Sequence, residues 1–127
     1  MKKAALTLTG MIALLHYYIA WFEIFAWTSR GPKVFSDFPA ELFEQTIPLA
    51  ANQGIYNAFL AVGLTWALII KDAKWQKNVA TYFLMFVAVA GVFGALTVTT
   101  KILFIQAIPA LIALAFLWVP GSSTRQN

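Results

Sequence analysis

Apolar residues run almost unbroken along four stretches of the chain, at about residues 4–28, 49–70, 78–98 and 102–119, each bounded by charged or turn-forming residues. A run of about 20 such residues makes a helix long enough to cross a hydrocarbon core about 30 Å thick. Within lipid a helix satisfies its backbone groups inside a single segment. The pattern therefore predicts an all-α integral membrane bundle of four transmembrane helices, forming one domain over residues 1–127. Thr97, Val98, Thr99, Thr100 and Lys101 must supply the whole turn between the third and fourth runs, because one helix through Lys101 would be far too long for a single crossing. The loop of residues 29–48 joins the first two spans. Within it Pro39 suits the first turn of a short helix, and Asp37, Glu41 and Glu44 favour that helix's N-terminal end. Phe35, Phe38, Leu42 and Phe43 are then expected in the membrane interface, either anchoring the loop as a surface helix or forming a lid over an outward-facing pocket.

Composition removes the main alternative. With 61% hydrophobic and 11% charged residues, the chain has too few polar side chains to coat a globule in water. The absence of Cys excludes disulfides, thiolate metal sites and cysteine nucleophiles. The net charge of +4 comes from dispersed basic residues that form no stripe suited to nucleic acid. Its distribution speaks to topology instead. With four spans, Lys2, Lys3, Lys71, Lys74, Lys77 and Arg125 share one side with Asp72, whereas Arg30, Lys33 and Lys101 balance Asp37, Glu41 and Glu44 on the other. The positive-inside rule then predicts that both termini are cytoplasmic. A cleaved secretory signal is the competing account of Met1, Lys2, Lys3 and the apolar run after them. A retained anchor is expected, since the run is long, carries His16 and Glu23, and ends in Phe25, Trp27 and Arg30 without a small-residue cleavage site. Gly121–Asn127 is a short polar tail with no predicted structure.

Polar side chains inside lipid are costly and need a partner or a role. Glu23 is the acid within a predicted span, about 7 Å below its outer end, and His16 lies on nearly the same face about 10 Å deeper. That face reads Thr9, Ala13, His16, Ala20, Glu23 and Trp27, small or polar throughout, with Ile12, Ile19, Phe22 and Phe25 elsewhere. His16 fits either a core imidazole bonded to a neighbour or a proton relay. The second span opens with a dense polar cluster, Ala51, Asn52, Gln53, Gly54, Ile55, Tyr56 and Asn57. Depth along each helix brings Gln53 and Gln106, with Thr97 and Thr100 nearby, to the level of Glu23. One polar chamber in the outer half of the bilayer is expected, with Tyr56, Asn57 and His16 beneath it. The small residues Ala90, Gly91, Gly94 and Ala95, and Gln106, Ala110 and Ala113 beside Pro109, read as helix packing. Trp66, Trp75, Tyr82 and Trp118 read as a cytoplasmic aromatic belt.

The chemistry open to such a chamber is narrow. One His and one buried acid cannot supply the three protein ligands of a zinc site, so no metal is expected. Ser29, Ser36, Ser122 and Ser123 lie outside the spans, against a serine triad, and no nucleotide fingerprint or cofactor motif appears. General acid–base work by Glu23 remains open, with amide donors from Asn52, Gln53 or Gln106. His16, Glu23, Ile24, Phe25 and Trp27, together with the stretch Asn52, Gln53, Gly54, Ile55, Tyr56, Asn57 and then Phe59, resemble an uncharacterised bacterial membrane family, domain of unknown function 1304. The likeness extends through Gly63, Leu64 and Trp66 to Gln106, Ala107, Ile108 and Pro109. It implies a small four-helix membrane protein and no particular reaction. Small multidrug-resistance transporters share four helices and an acid in the first. Sterol isomerases like the emopamil-binding protein share residue types only.

The expected function is binding or processing of a small lipophilic molecule in the pocket. Glu23 and His16 would handle a proton, Asn52, Gln53, Asn57 and Gln106 would orient acid or ligand, and Trp27 and Tyr56 would form walls. Proton-coupled export and a structural membrane subunit are the alternatives. The expected partners are membrane lipid and that small molecule, without nucleic acid, and a single bundle and a homodimer both fit the length.

Overall fold

A computed structural model describes residues 2–119, and every regular element among them is helical. In chain order these are α1 (Lys2–Phe25), α2 (Trp27–Val34), α3 (Leu42–Gln45), α4 (Ile47–Ile69), α5 (Ala73–Thr97), a π-helical segment (Leu103–Ala107) and α6 (Ile108–Trp118). The tail predicted at Gly121–Asn127, with Arg125, lies outside the described residues. Two helices, α1 and α5, are long and apolar enough to cross a membrane, and Leu103–Trp118 is a shorter apolar helix. The 23-residue α4 is diluted by Asn52, Gln53 and Asn57 in its first half.

Several ends differ from the hydropathy pattern, each for a local reason. The first helix stops at Phe25 instead of running to 28, because Ala26 leaves helical geometry (φ −128°, ψ 13°) and redirects the chain into α2. Pro48 sits in the first turn of α4, where its missing N–H is harmless. Asp72 caps α5, its carboxylate accepting from the Trp75 backbone N–H at 2.8 Å. The hairpin turn follows Thr97 as expected. Pro109 cannot donate a backbone bond to the preceding turn, and the π-helical winding of Leu103–Ala107 ends just before it.

The described residues form two compact units, residues 2–12 with 63–119 and residues 13–62. In the first, α5 packs along the π segment and α6. The residues buried here are small or evenly spaced: Leu84, Val87 and Gly91 on α5, and Ala107, Ala110 and Ala113 opposite. A Cβ on Gly91 would come within 2.6 Å of the Ala107 backbone nitrogen, so the two backbones meet here without an intervening side chain. Ala5, Ala67, Val79, Ala80 and Leu117 form a second cluster at the other end of this unit, with Ile70 and Phe83 packed on it. Buried Gln76 ties the α4–α5 turn by donating to the Ile70 carbonyl at 3.1 Å.

The second unit holds the rest of α1, α2, α3 and the first half of α4. Its inner side includes Ala13, His16 and Ala20, as the small-residue face predicts. It also takes in Phe22, which the helical spacing assigns elsewhere, while Ile12, likewise buried against that expectation, is the last α1 residue of the first unit. Phe25, by contrast, is exposed. The loop is not a flat interfacial helix, since only Leu42–Gln45 is helical around the predicted position. Its aromatic residues turn inward instead. The Trp27 ring lies 5.1 Å from Phe43, 5.8 Å from Phe22 and Phe35, and 6.3 Å from Phe38, centroid to centroid. Gly31 lies directly beneath the Phe43 ring, leaving no room for a side chain. Trp27 Nε1 donates to Thr46 Oγ1 at 2.9 Å, and Thr46 in turn donates to the Leu42 carbonyl at 2.7 Å. The hydrogen bonds and rings together bind residues 27–46 into an aromatic cap.

Candidate functional site

The centre of the second unit's polar chemistry is a contact between α1 and α4. Glu23 lies two residues before the end of α1, closer to the helix terminus than the predicted span implied. Asn57, in the third turn of α4, donates from Nδ2 to Glu23 Oε2 at 2.8 Å. The same Nδ2 lies 3.2 Å from the Gln53 carbonyl one turn earlier, which holds the amide in its orientation. Among the described residues Asn57 is the side-chain donor to Glu23, and no Lys or Arg pairs with that carboxylate.

Gly54 makes the pairing possible. A Cβ there would lie 2.6 Å from Ile24 Cγ1, 3.0 Å from the Ala20 carbonyl oxygen and 3.2 Å from Glu23 Cβ. The two helices therefore touch backbone to side chain at this level, with buried Ala20 opposite buried Gly54. One turn along α4 from that contact stands Asn57, which brings a short side chain within reach of Glu23.

The other predicted site residues are arranged differently. His16 is fully buried on the same helix, but seven residues of α1 rise by about 10 Å, too far for a direct bond to Glu23. Asn52 and Gln53 have exposed side chains, and Gln53 enters the site through its backbone carbonyl alone. Tyr56 is 56% exposed and packs edge-on against Phe59 at 6.2 Å, so it forms no wall around Glu23 within this unit. Trp27 belongs to the aromatic cap, next to Phe22. Gln106 lies half-buried in the π segment, in the other unit. Sequence reasoning missed Gly54 as the contact that sets the geometry, although a glycine inside the Asn52–Asn57 cluster was a signal for close helix approach. It also missed Thr46 as the partner of Trp27. No spacing rule links those two, because they come together only when the loop folds.

The arrangement can hold a polar group against a carboxylate oriented by one amide. It has no ligand set for a metal, as no group of three or more His, Cys, Asp or Glu comes together among the described residues. A family model described as Protein of unknown function (DUF1304) matches residues 10–118. The chain belongs to this family. All eight candidate site residues fall inside the DUF1304 match. The chain is also similar to the uncharacterized protein YpaA of Lactococcus lactis subsp. lactis (strain IL1403), 32% identical over 116 residues, which cover 90% of this chain and 96% of that protein. No solved structure matches.

Proposed function

We propose that this DUF1304 protein crosses the bacterial inner membrane four times, through α1, α4, α5 and the segment ending in α6, with both termini in the cytoplasm. In this reading the Glu23–Asn57 pair binds the polar end of a small lipophilic molecule near the outer surface. The membrane part draws on α1 and α5, on the charge bias of the loops, and on the apolar side chains that α5 leaves uncovered, including Phe93 at 67% and Leu96 at 81% exposure. The binding part rests on one observation. A carboxylate next to an apolar helix contact has an amide donor and no cationic partner among the described residues. Removing an acid from water on those terms is costly unless a proton, a cationic group or a further donor completes it. A lipophilic molecule with such an end would supply what the helices do not. The same uncompensated acid also favours a second reading, proton-coupled export of a lipophilic cation.

The test compares wild-type protein with Glu23→Gln, both purified in mild detergent and extracted for mass spectrometry. A molecule retained by the wild type and depleted at least about tenfold in the variant supports binding at Glu23, since tenfold corresponds to about 1.4 kcal/mol. Equal extracts refute it and leave a structural subunit. Proteoliposome uptake of a lipophilic cation, driven by a proton gradient and abolished by Glu23→Gln, would select the export reading.

A further inference from the structure

The first unit gathers five lysines at one end. Ala5, one turn beyond Lys2 and Lys3, packs with Ala67, Val79, Ala80 and Leu117, while Lys71, Lys74 and Lys77 surround the turn from α4 into α5. Beside them Trp66, Trp75, Asn78, Val79, Tyr82 and Phe83 line an open apolar groove of about 260 Å³. That volume suits a stretch of acyl chain better than a whole enclosed ligand, for which pockets of about 300–1,000 Å³ are usual. Gly63 shapes the groove, because any side chain there would collide with the Phe83 ring.

The charges around the groove divide into engaged and available. Lys77 Nζ sits 3.6 Å from the centroid of the Trp118 ring, and Trp118 Nε1 donates to Thr81 Oγ1 at 3.0 Å. Asp72 is occupied in capping α5. Lys71 and Lys74 are exposed and have no ion-pair partner among the described residues. Lys74 stands one helical turn from Asn78, which lines the groove.

We propose that this groove binds an anionic phospholipid of the cytoplasmic leaflet. Its acyl chain lies along Trp66, Tyr82 and Phe83, and its phosphate is met by Lys71, Lys74 and the Asn78 amide. Charge complementarity selects the occupant. A zwitterionic lipid would satisfy the aromatic wall but leave the lysine excess unanswered, whereas an anionic headgroup answers both. The inference relies on membrane insertion and is independent of any role for Glu23.

Fluorescence quenching tests it. Full-length protein is reconstituted in phosphatidylcholine vesicles containing increasing fractions of brominated phosphatidylglycerol or brominated phosphatidylcholine. The contribution of the groove is isolated by comparison with Trp66→Phe/Trp75→Phe. The groove tryptophans should reach half-quenching at about a fivefold lower fraction of the anionic lipid. Lys71→Gln/Lys74→Gln should abolish that preference, and Lys71→Arg/Lys74→Arg should keep it. Equal quenching by the two lipids overturns the proposal, as does a preference that survives the glutamine variant. Quenching of Trp21 and Trp118 without the groove pair also overturns it, since another protein chain then covers the groove. Quenching of no tryptophan by either lipid removes this proposal together with membrane insertion. Loss of Glu23-dependent ligand retention, with the lipid preference intact, upholds this proposal while refuting the one for Glu23.

Discussion

Substituting alanine for Gly54 sets two effects of known size against each other. Helix propensity alone favours Gly54→Ala by about 1 kcal/mol, because alanine loses less backbone freedom in the middle of α4. Packing opposes it. The new methyl would sit 2.6 Å from Ile24 Cγ1 and 3.0 Å from the Ala20 carbonyl oxygen, where optimal separations are about 3.5–4.0 Å. Ile24 is β-branched and strongly confined at χ1 in a helix, and the Ala20 oxygen is backbone, so neither can move aside cheaply. The helices must separate by about 1 Å, an overpacking cost of about 1–3 kcal/mol, and after the propensity gain the net expectation is a loss of about 0–2 kcal/mol. The same separation lengthens the 2.8 Å Asn57–Glu23 bond beyond hydrogen-bonding range. A double-mutant cycle with Asn57→Ala, read from reversible unfolding in mixed micelles, tests both consequences. Asn57→Ala should cost about 1 kcal/mol in the wild-type background and almost nothing after Gly54→Ala. A stabilised Gly54→Ala, or costs that simply add, would refute the inference that this glycine sets the site.

Other glycines and the aromatic cap make separate predictions. Gly91→Ala should destabilise by up to about 2 kcal/mol net, because the Cβ would meet the backbone of Ala107, whereas Gly10→Ala, facing only Leu68 Cδ1 at 3.5 Å, should be neutral or stabilising by up to about 1 kcal/mol. Thermal unfolding of the two variants in the same detergent checks the contrast, and equal melting shifts would contradict it. Trp27→Phe removes the donor to Thr46 while keeping most of the ring contacts, so a loss of about 1 kcal/mol is expected. Faster limited proteolysis within residues 36–41 should accompany that loss, and an unchanged cleavage rate would argue that the hydrogen bond does not hold the cap.

Much of this protein follows from one-dimensional chemistry. Long apolar runs dictate helices, since a buried backbone must bond within itself, and the Thr97–Lys101 interval dictates a hairpin because no other residues are available to turn the chain. The small face of α1 and the role of Glu23 as the acid within it are legible at helical spacing. The DUF1304 match, over residues 10–118, includes Glu23 and that face from Ala13 onward. Spacing could not select Asn57 from among Asn52, Gln53 and Asn57, because all three amides share one short stretch and only the rotation of α4 chooses which reaches Glu23. That rotation is decided where Gly54 meets Ala20 and Ile24, a contact between residues about thirty positions apart. The aromatic cap likewise depends on Trp27 finding Phe43 and Thr46 across a loop. Local periodicity reports which side of a helix prefers burial. The partner on that side is set by the packing of separate segments, which only the folded chain contains.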